Sequence, residues 1–91
     1  MKKSVRVHVD GLVQGIFFRN FVKENAEKQD VKGFVRNLED GRVEALFEGD
    51  VDKVNKMVEM CKEGPKHSQV KSVSVKEESF QGFKNFKVLH I

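Results

Sequence analysis

The chain has no tryptophan, no tyrosine, one proline and one cysteine. A single cysteine cannot form an internal disulfide, so the 91 residues must fold on their own core. A lone thiol also suits a reducing compartment. A chain this short buries roughly 60–65% of its unfolded surface, enough for one core and hence one domain, 1–91. Cys61 lies in an apolar helical stripe and reads as a small buried apolar residue. No cysteine pair is available for zinc, and His8, His67 and His90 show no ligand spacing. No carboxylate pair shares a motif suited to Mg²⁺. No metal and no cofactor are therefore expected, and His8 reads as an exposed strand residue.

Long apolar runs are missing too. Lys2 and Lys3 open the chain, but Arg6, His8 and Asp10 break up the residues after them. That excludes a signal-peptide core or a membrane span, and a cytoplasmic location is expected. Lysines and glutamates are interspersed, so the formal charge of +3 favours anionic ligands only mildly and contains no basic arm for nucleic acid. No exposed apolar stripe argues for assembly, and a monomer is expected.

The residues that are present are patterned. Val5, Val7 and Val9 alternate with polar residues, which predicts a half-buried strand. Gly11 to Gly15 ends it, and Phe18, Phe21, Val22 and Ala26 predict a helix from Ile16 or Phe17 to Gln29. Helical phase turns one of Phe17 and Phe18 inward, and core packing is the preferred role for the pair. Gly33 ends the next connection, and Phe34–Asn37 reads as a second strand. Asp40-Gly41 is a hairpin signal before Val43, Ala45 and Phe47 on the third. Asp50 stands at an N-cap position, Val51, Val54, Val58 and Cys61 mark a second helix, and Gly64-Pro65 stops it. Val73 and Val75 mark a fourth strand, and a short last one falls near Phe86 to Ile91. The order β-α-β-β-α-β, with an extra C-terminal strand, predicts an α+β fold of the ferredoxin-like kind. It places two helices on one face of a mostly antiparallel sheet.

The chemistry concentrates between the first strand and the first helix. Glycines at 11 and 15 allow a tight loop whose N–H groups, with those of the first helical turn, can converge on a phosphate. Arg19 can add a planar, permanently charged fork. By itself the pattern does not identify a site, and a surface helix arginine is then the favoured reading of Arg19. A nucleotide P-loop is excluded because Ile16-Phe17 comes directly after Gly15, and a thiol phosphatase because Val13 stands six positions before Arg19.

Two motifs together are more specific. Gly11-Leu12-Val13-Gln14-Gly15-Ile16-Phe17-Phe18-Arg19 resembles the acylphosphatase signature, a Gly-x-Val-Gln-Gly-Val loop leading through an aromatic residue to an arginine. Gly33-Phe34-Val35-Arg36-Asn37-Leu38-Glu39-Asp40-Gly41 resembles the family's second motif, Gly-Trp-Val-Arg-Asn-x-x-Asp-Gly. Val43-Glu44-Ala45, Glu48-Gly49-Asp50, Gly64-Pro65 and Phe86-Lys87-Val88 continue the likeness in order. Leu12 stands where the family usually has Arg or Lys, and Phe34 replaces Trp as an aromatic expected in the core.

The resemblance implies hydrolysis of acyl phosphates to a carboxylate and inorganic phosphate. Arg19 would bind the phosphoryl group, Asn37 would orient the attacking water, and the backbone amides of Gln14, Gly15, Ile16, Phe17 and Phe18 would form the cradle. Inorganic phosphate and sulfate should compete for it. A carboxylate leaving group has a conjugate-acid pKa of about 4, so no general acid is required. Two alternatives stay open on the sequence. One is a non-catalytic domain of the same family. The other is a nucleic-acid-binding module, since RNA-recognition domains share the βαββαβ order and Lys32-Gly33-Phe34 resembles the start of their longer motif. Against the latter, the segment falls on the second strand, with no Tyr or Trp for base stacking.

Overall fold

The computed structural model describes residues 1–89. Valine alternation builds β1 (Lys2–Leu12), and helical periodicity builds α1 (Ile16–Lys28). The chain continues through β2 (Lys32–Asn37), β3 (Val43–Asp50), α2 (Val51–Glu63), β4 (Gln69–Glu78) and β5 (Phe86–Val88). The strands form one sheet in the order β4-β1-β3-β2-β5. Among the described residues, only the β2–β5 pair is parallel.

Val5, Val7, Val9, Val35, Val43, Ala45 and Phe47 share one face of the sheet and are buried. Onto them pack Phe18, Val22 and Ala26 of α1 and Val54, Met57 and Cys61 of α2. The expected ferredoxin-like α+β arrangement is the observed one. Asp50 does occupy the N-cap of α2, but its side chain makes no cap bond and instead pairs with Lys2 at 3.0 Å. Gly64 ends α2, its N–H donating to Met60 O at 2.8 Å.

Several expectations need correction. β1 does not stop at Gly11: a register shift after Asp10 lets the strand continue to Leu12 beside Gln69. Gly33 is not a connection but lies within β2, opposite Phe47. Its φ is +136°, and a Cβ there would sit 1.8 Å from Leu46 O, so the strands meet backbone to backbone where only glycine fits. Val75 is 47% exposed because β4 is an edge strand at the margin of the helical layer. The last strand ends at Val88, and His90 and Ile91 lie outside the described residues.

The second face of the sheet is also organised. β4 and β5 occupy opposite edges, so residues 79–85 must cross from one side of the sheet to the other. Glu48, buried on β3, accepts hydrogen bonds from the backbone N–H groups of Gln81, Gly82 and Phe83 at 2.6, 3.0 and 3.1 Å. Phe34 lies on this face, not in the helical core: strand alternation turns Val35 inward and Phe34 outward. Its ring meets Phe83 edge-on at 6.0 Å and the guanidinium carbons of Arg6 and Arg36 at 5.8 and 5.9 Å.

Candidate active site

Strand direction brings the two motifs to one end of the sheet. β1 and β2 are each antiparallel to β3, which lies between them, so β1 and β2 run the same way. The C-terminal ends of both therefore lie on the edge from which α1 departs. Leu12 closes β1 there and Asn37 closes β2.

Val13, fully buried, anchors the loop between β1 and α1 to the core. Gln14 is exposed, yet its side-chain Nε2 donates to Leu38 O at 2.8 Å and reaches Arg42 O at 3.4 Å. One side chain thus ties the loop to the turn just after Asn37. That turn is closed by Leu38 N–H donating to Arg42 O at 2.8 Å and by Asp40 accepting from Arg42 N–H at 3.1 Å. The Asp40 carboxyl is held below its ordinary value by the Arg42 backbone N–H and then by the Arg42 side chain.

Gly15 is the N-cap of α1, with φ 109° and ψ 176°, a conformation that side-chain-bearing residues rarely adopt. No side chain caps the helix, and its first turn holds no acidic residue. The amides of Ile16, Phe17 and Phe18 are the ones that an α-helix leaves without an internal acceptor. They carry the positive end of the helix dipole, with no neighbouring carboxylate in that turn to oppose an anion. Arg19 folds back over this turn, Nε donating to Gly15 O at 3.2 Å. Phe18 enters the core, as expected for one of the pair, whereas Phe17 is 84% exposed and packs in no core.

Asn37 shares the inward parity of Val35 and points to the helical side of the sheet. Its Oδ1 is buried and has no hydrogen-bond partner among the described residues. An unpaired buried acceptor costs about 1–3 kcal/mol, and such costs concentrate where a ligand or water is handled.

Behind Asn37 stands a charged cluster that the sequence does not reveal. Glu44, 5% exposed, accepts from Arg36 Nε at 2.7 Å, approaches Arg6 at 3.2 Å and bonds His8 Nε2 at 2.8 Å. Burial pushes the Glu44 carboxyl up, but its bonds to His8, Arg36 and Arg6 outweigh that and hold it below its ordinary value. Arg6 is also bidentate to Glu78, at 2.6 and 3.2 Å. His8 is accordingly half-buried and paired, not exposed as expected. Arg36 immediately precedes Asn37, so the cluster fixes the strand that carries it. The Gln14 brace escapes sequence reasoning for a related reason, since the motif points to the amide of Gln14 and not to its side chain.

Cys61 is buried and its thiol is pushed up to about 12 by desolvation, as suits a packing residue. No group of three or more His, Cys, Asp or Glu is gathered as a metal would need, among the described residues. No described helix is long and apolar enough to cross a membrane.

Comparison with known proteins agrees with this geometry. The family model for acylphosphatase matches residues 5–88. An acylphosphatase of Rubrobacter xylanophilus is 54% identical over 80 residues, covering 88% of this chain and 73% of its own. The crystal structure of acylphosphatase from Bacillus subtilis superposes with a TM-score of 0.92 at 41% identity, covering 99% of this chain and 100% of that one. An acylphosphatase from Coxiella burnetii gives the same TM-score, 0.92, at 34% identity over 97% of this chain and 93% of its own. With both motifs at one end of the sheet and this similarity along nearly its whole length, the chain belongs to the acylphosphatase family, a family of hydrolases.

Proposed function

We propose that the chain hydrolyses the carboxyl–phosphate bond of small acyl phosphates, releasing a carboxylate and inorganic phosphate. The observation that carries this reading is the uncapped first turn of α1, overlaid by Arg19 and tied by Gln14 to the turn beside Asn37. The amides of Gln14 to Phe18 and the Arg19 guanidinium hold the phosphoryl oxygens and stabilise the charge that spreads over them. Asn37 Oδ1 accepts a hydrogen bond from the water and aims its lone pair at phosphorus. The P–O bond to the carboxylate breaks as the water oxygen bonds phosphorus. The electron pair leaves with the carboxylate, and the water's proton passes to a phosphate oxygen or to solvent.

The chain is proposed to act as a cytoplasmic monomer on a free small molecule, with phosphate or sulfate competing for the cradle. A nucleic-acid module is the weaker reading, because base stacking needs exposed aromatic platforms. Phe34, half-buried on the second face of the sheet, is instead engaged by Phe83, Arg6 and Arg36.

The test is hydrolysis of benzoyl phosphate in excess EDTA. Activity should persist undiminished, with inorganic phosphate as a competitive inhibitor. Absence of hydrolysis would favour a non-catalytic relative, and loss on chelation with recovery on added Mg²⁺ would overturn the metal-independent scheme.

A further inference from the structure

The signature loop carries an apolar surface that the phosphate chemistry does not use. Leu12, Ile16 and Phe17 are 70%, 46% and 84% exposed, and they lie within six residues of one another around the cradle. Exposed apolar side chains crowded at one place mark a binding surface more often than isolated ones do. Two of them, Leu12 and Phe17, border a groove of about 420 Å³. Leu12, Phe17 and Phe18 line it together with the Pro65–Ser68 turn, which brings Lys66 and His67 to its rim. That turn is well braced: Ser68 donates to Pro65 O through both Oγ at 2.6 Å and its backbone N–H at 3.1 Å. A larger hollow, about 670 Å³ beside Lys76 and Glu78, lies at the other end of β4 and shares none of these residues.

The position of the groove matters more than its size. The sheet order is β4-β1-β3-β2-β5, so the loop leaving β1 is flanked on one side by the lead-in to β4 and on the other by the start of β3, with the end of β2 beyond it. The groove is on the β4 side, where Leu12 pairs with Gln69. Asn37 closes β2 on the other side, and Gln14, which also lines the groove, reaches across to Leu38 O. In-line displacement needs the attacking water and the leaving oxygen on opposite sides of phosphorus. If Asn37 holds the water, the leaving carboxylate and everything attached to it must point away from β2, toward the groove.

Resting on the function proposed above, we infer that this groove is the acyl-group subsite, and that Leu12 and Phe17 select acyl phosphates with an apolar acyl group, aromatic or branched aliphatic. Leu12 is informative because the family signature usually has Lys or Arg there, which would offer charge where this chain offers apolar surface. A small polar acyl group would leave both side chains in water and gain nothing from them.

The test compares kcat/KM for benzoyl phosphate and acetyl phosphate in the wild type, Phe17→Ala and Leu12→Ser. Both side chains are largely exposed, so circular dichroism should show both variants folded. The benzoyl-to-acetyl ratio should fall about tenfold in each variant, chiefly through KM for benzoyl phosphate, as expected for one lost apolar contact in a pocket. Comparing each variant's ratio with that of the wild type cancels the intrinsic difference in reactivity between the two compounds. An unchanged ratio in both variants, with activity intact, would overturn the subsite and leave the proposed function standing. If the wild type hydrolysed neither compound, that function would fall, and the subsite with it.

Discussion

Arg19 and Asn37 make different demands on the fold, and this separates their roles experimentally. Arg19 carries charge and already leans on the loop through Gly15 O. Arg19→Gln should therefore weaken competitive inhibition by inorganic phosphate as well as turnover, with a rate loss of roughly 10²–10³ for one preorganised donor. Asn37 offers an oxygen that is buried and without a described partner. Asn37→Ala should depress kcat severely while the phosphate inhibition constant stays near wild type. It also removes an unsatisfied acceptor, so the variant should be no less stable in urea than the wild type. Near-normal turnover in Asn37→Ala, or phosphate affinity lost as badly as in Arg19→Gln, would sink this division of labour.

At the scale of elements, legibility tracks the range of the interactions. α1 and α2 are readable because their apolar spacing is local, and Asp40-Gly41 because a turn is set by its own residues. The candidate site residues come from two contiguous motifs, which are local in the same way. The illegible features are set across the sheet. Glu48 holds the N–H of Gln81, 33 residues later, and nothing between them announces it. Phe34 reads as a core residue because an aromatic in a strand usually packs there, but it is half-buried on the other face, against Phe83 of the crossing segment. Gly33 reads as punctuation, whereas its meaning lies in Leu46 O on the neighbouring strand. Gly33→Ala should accordingly destabilise the chain by about 3 kcal/mol, through both the positive φ and the clash with backbone. Urea denaturation measures this directly. A loss no larger than that of an ordinary surface substitution would mean that β2 and β3 can separate to admit the methyl group.

For the whole molecule, the open face makes stability depend on pH. Burial pushes Glu48 up, but the N–H groups of Gln81, Phe83 and Gly82 more than compensate and hold it below its ordinary 4.5. Glu44 is lowered in the same sense by His8, Arg36 and Arg6. A carboxyl depressed in the folded state binds its proton more readily when unfolded. Its contribution is thus complete above 4.5 and is lost as pH falls below that value toward the folded pKa. The urea midpoint should therefore be flat from neutrality down to about 5 and then drop steeply. General repulsion among the 17 Lys and Arg residues would also lower it in acid, so the wild type alone is not decisive. Glu44→Gln is. It removes the titrating charge, keeps the shape, and leaves Arg6 and Arg36 without their shared carboxylate. At neutral pH the variant should be less stable by about 1.5–3 kcal/mol, the range for hydrogen bonds to a charged group. In acid the wild-type Glu44 becomes protonated and comes to resemble Gln, so the two urea midpoints should converge. A gap that stayed constant from neutral to acid pH would show that the cluster holds the sheet by packing alone, and that acid unfolds the molecule through some other group.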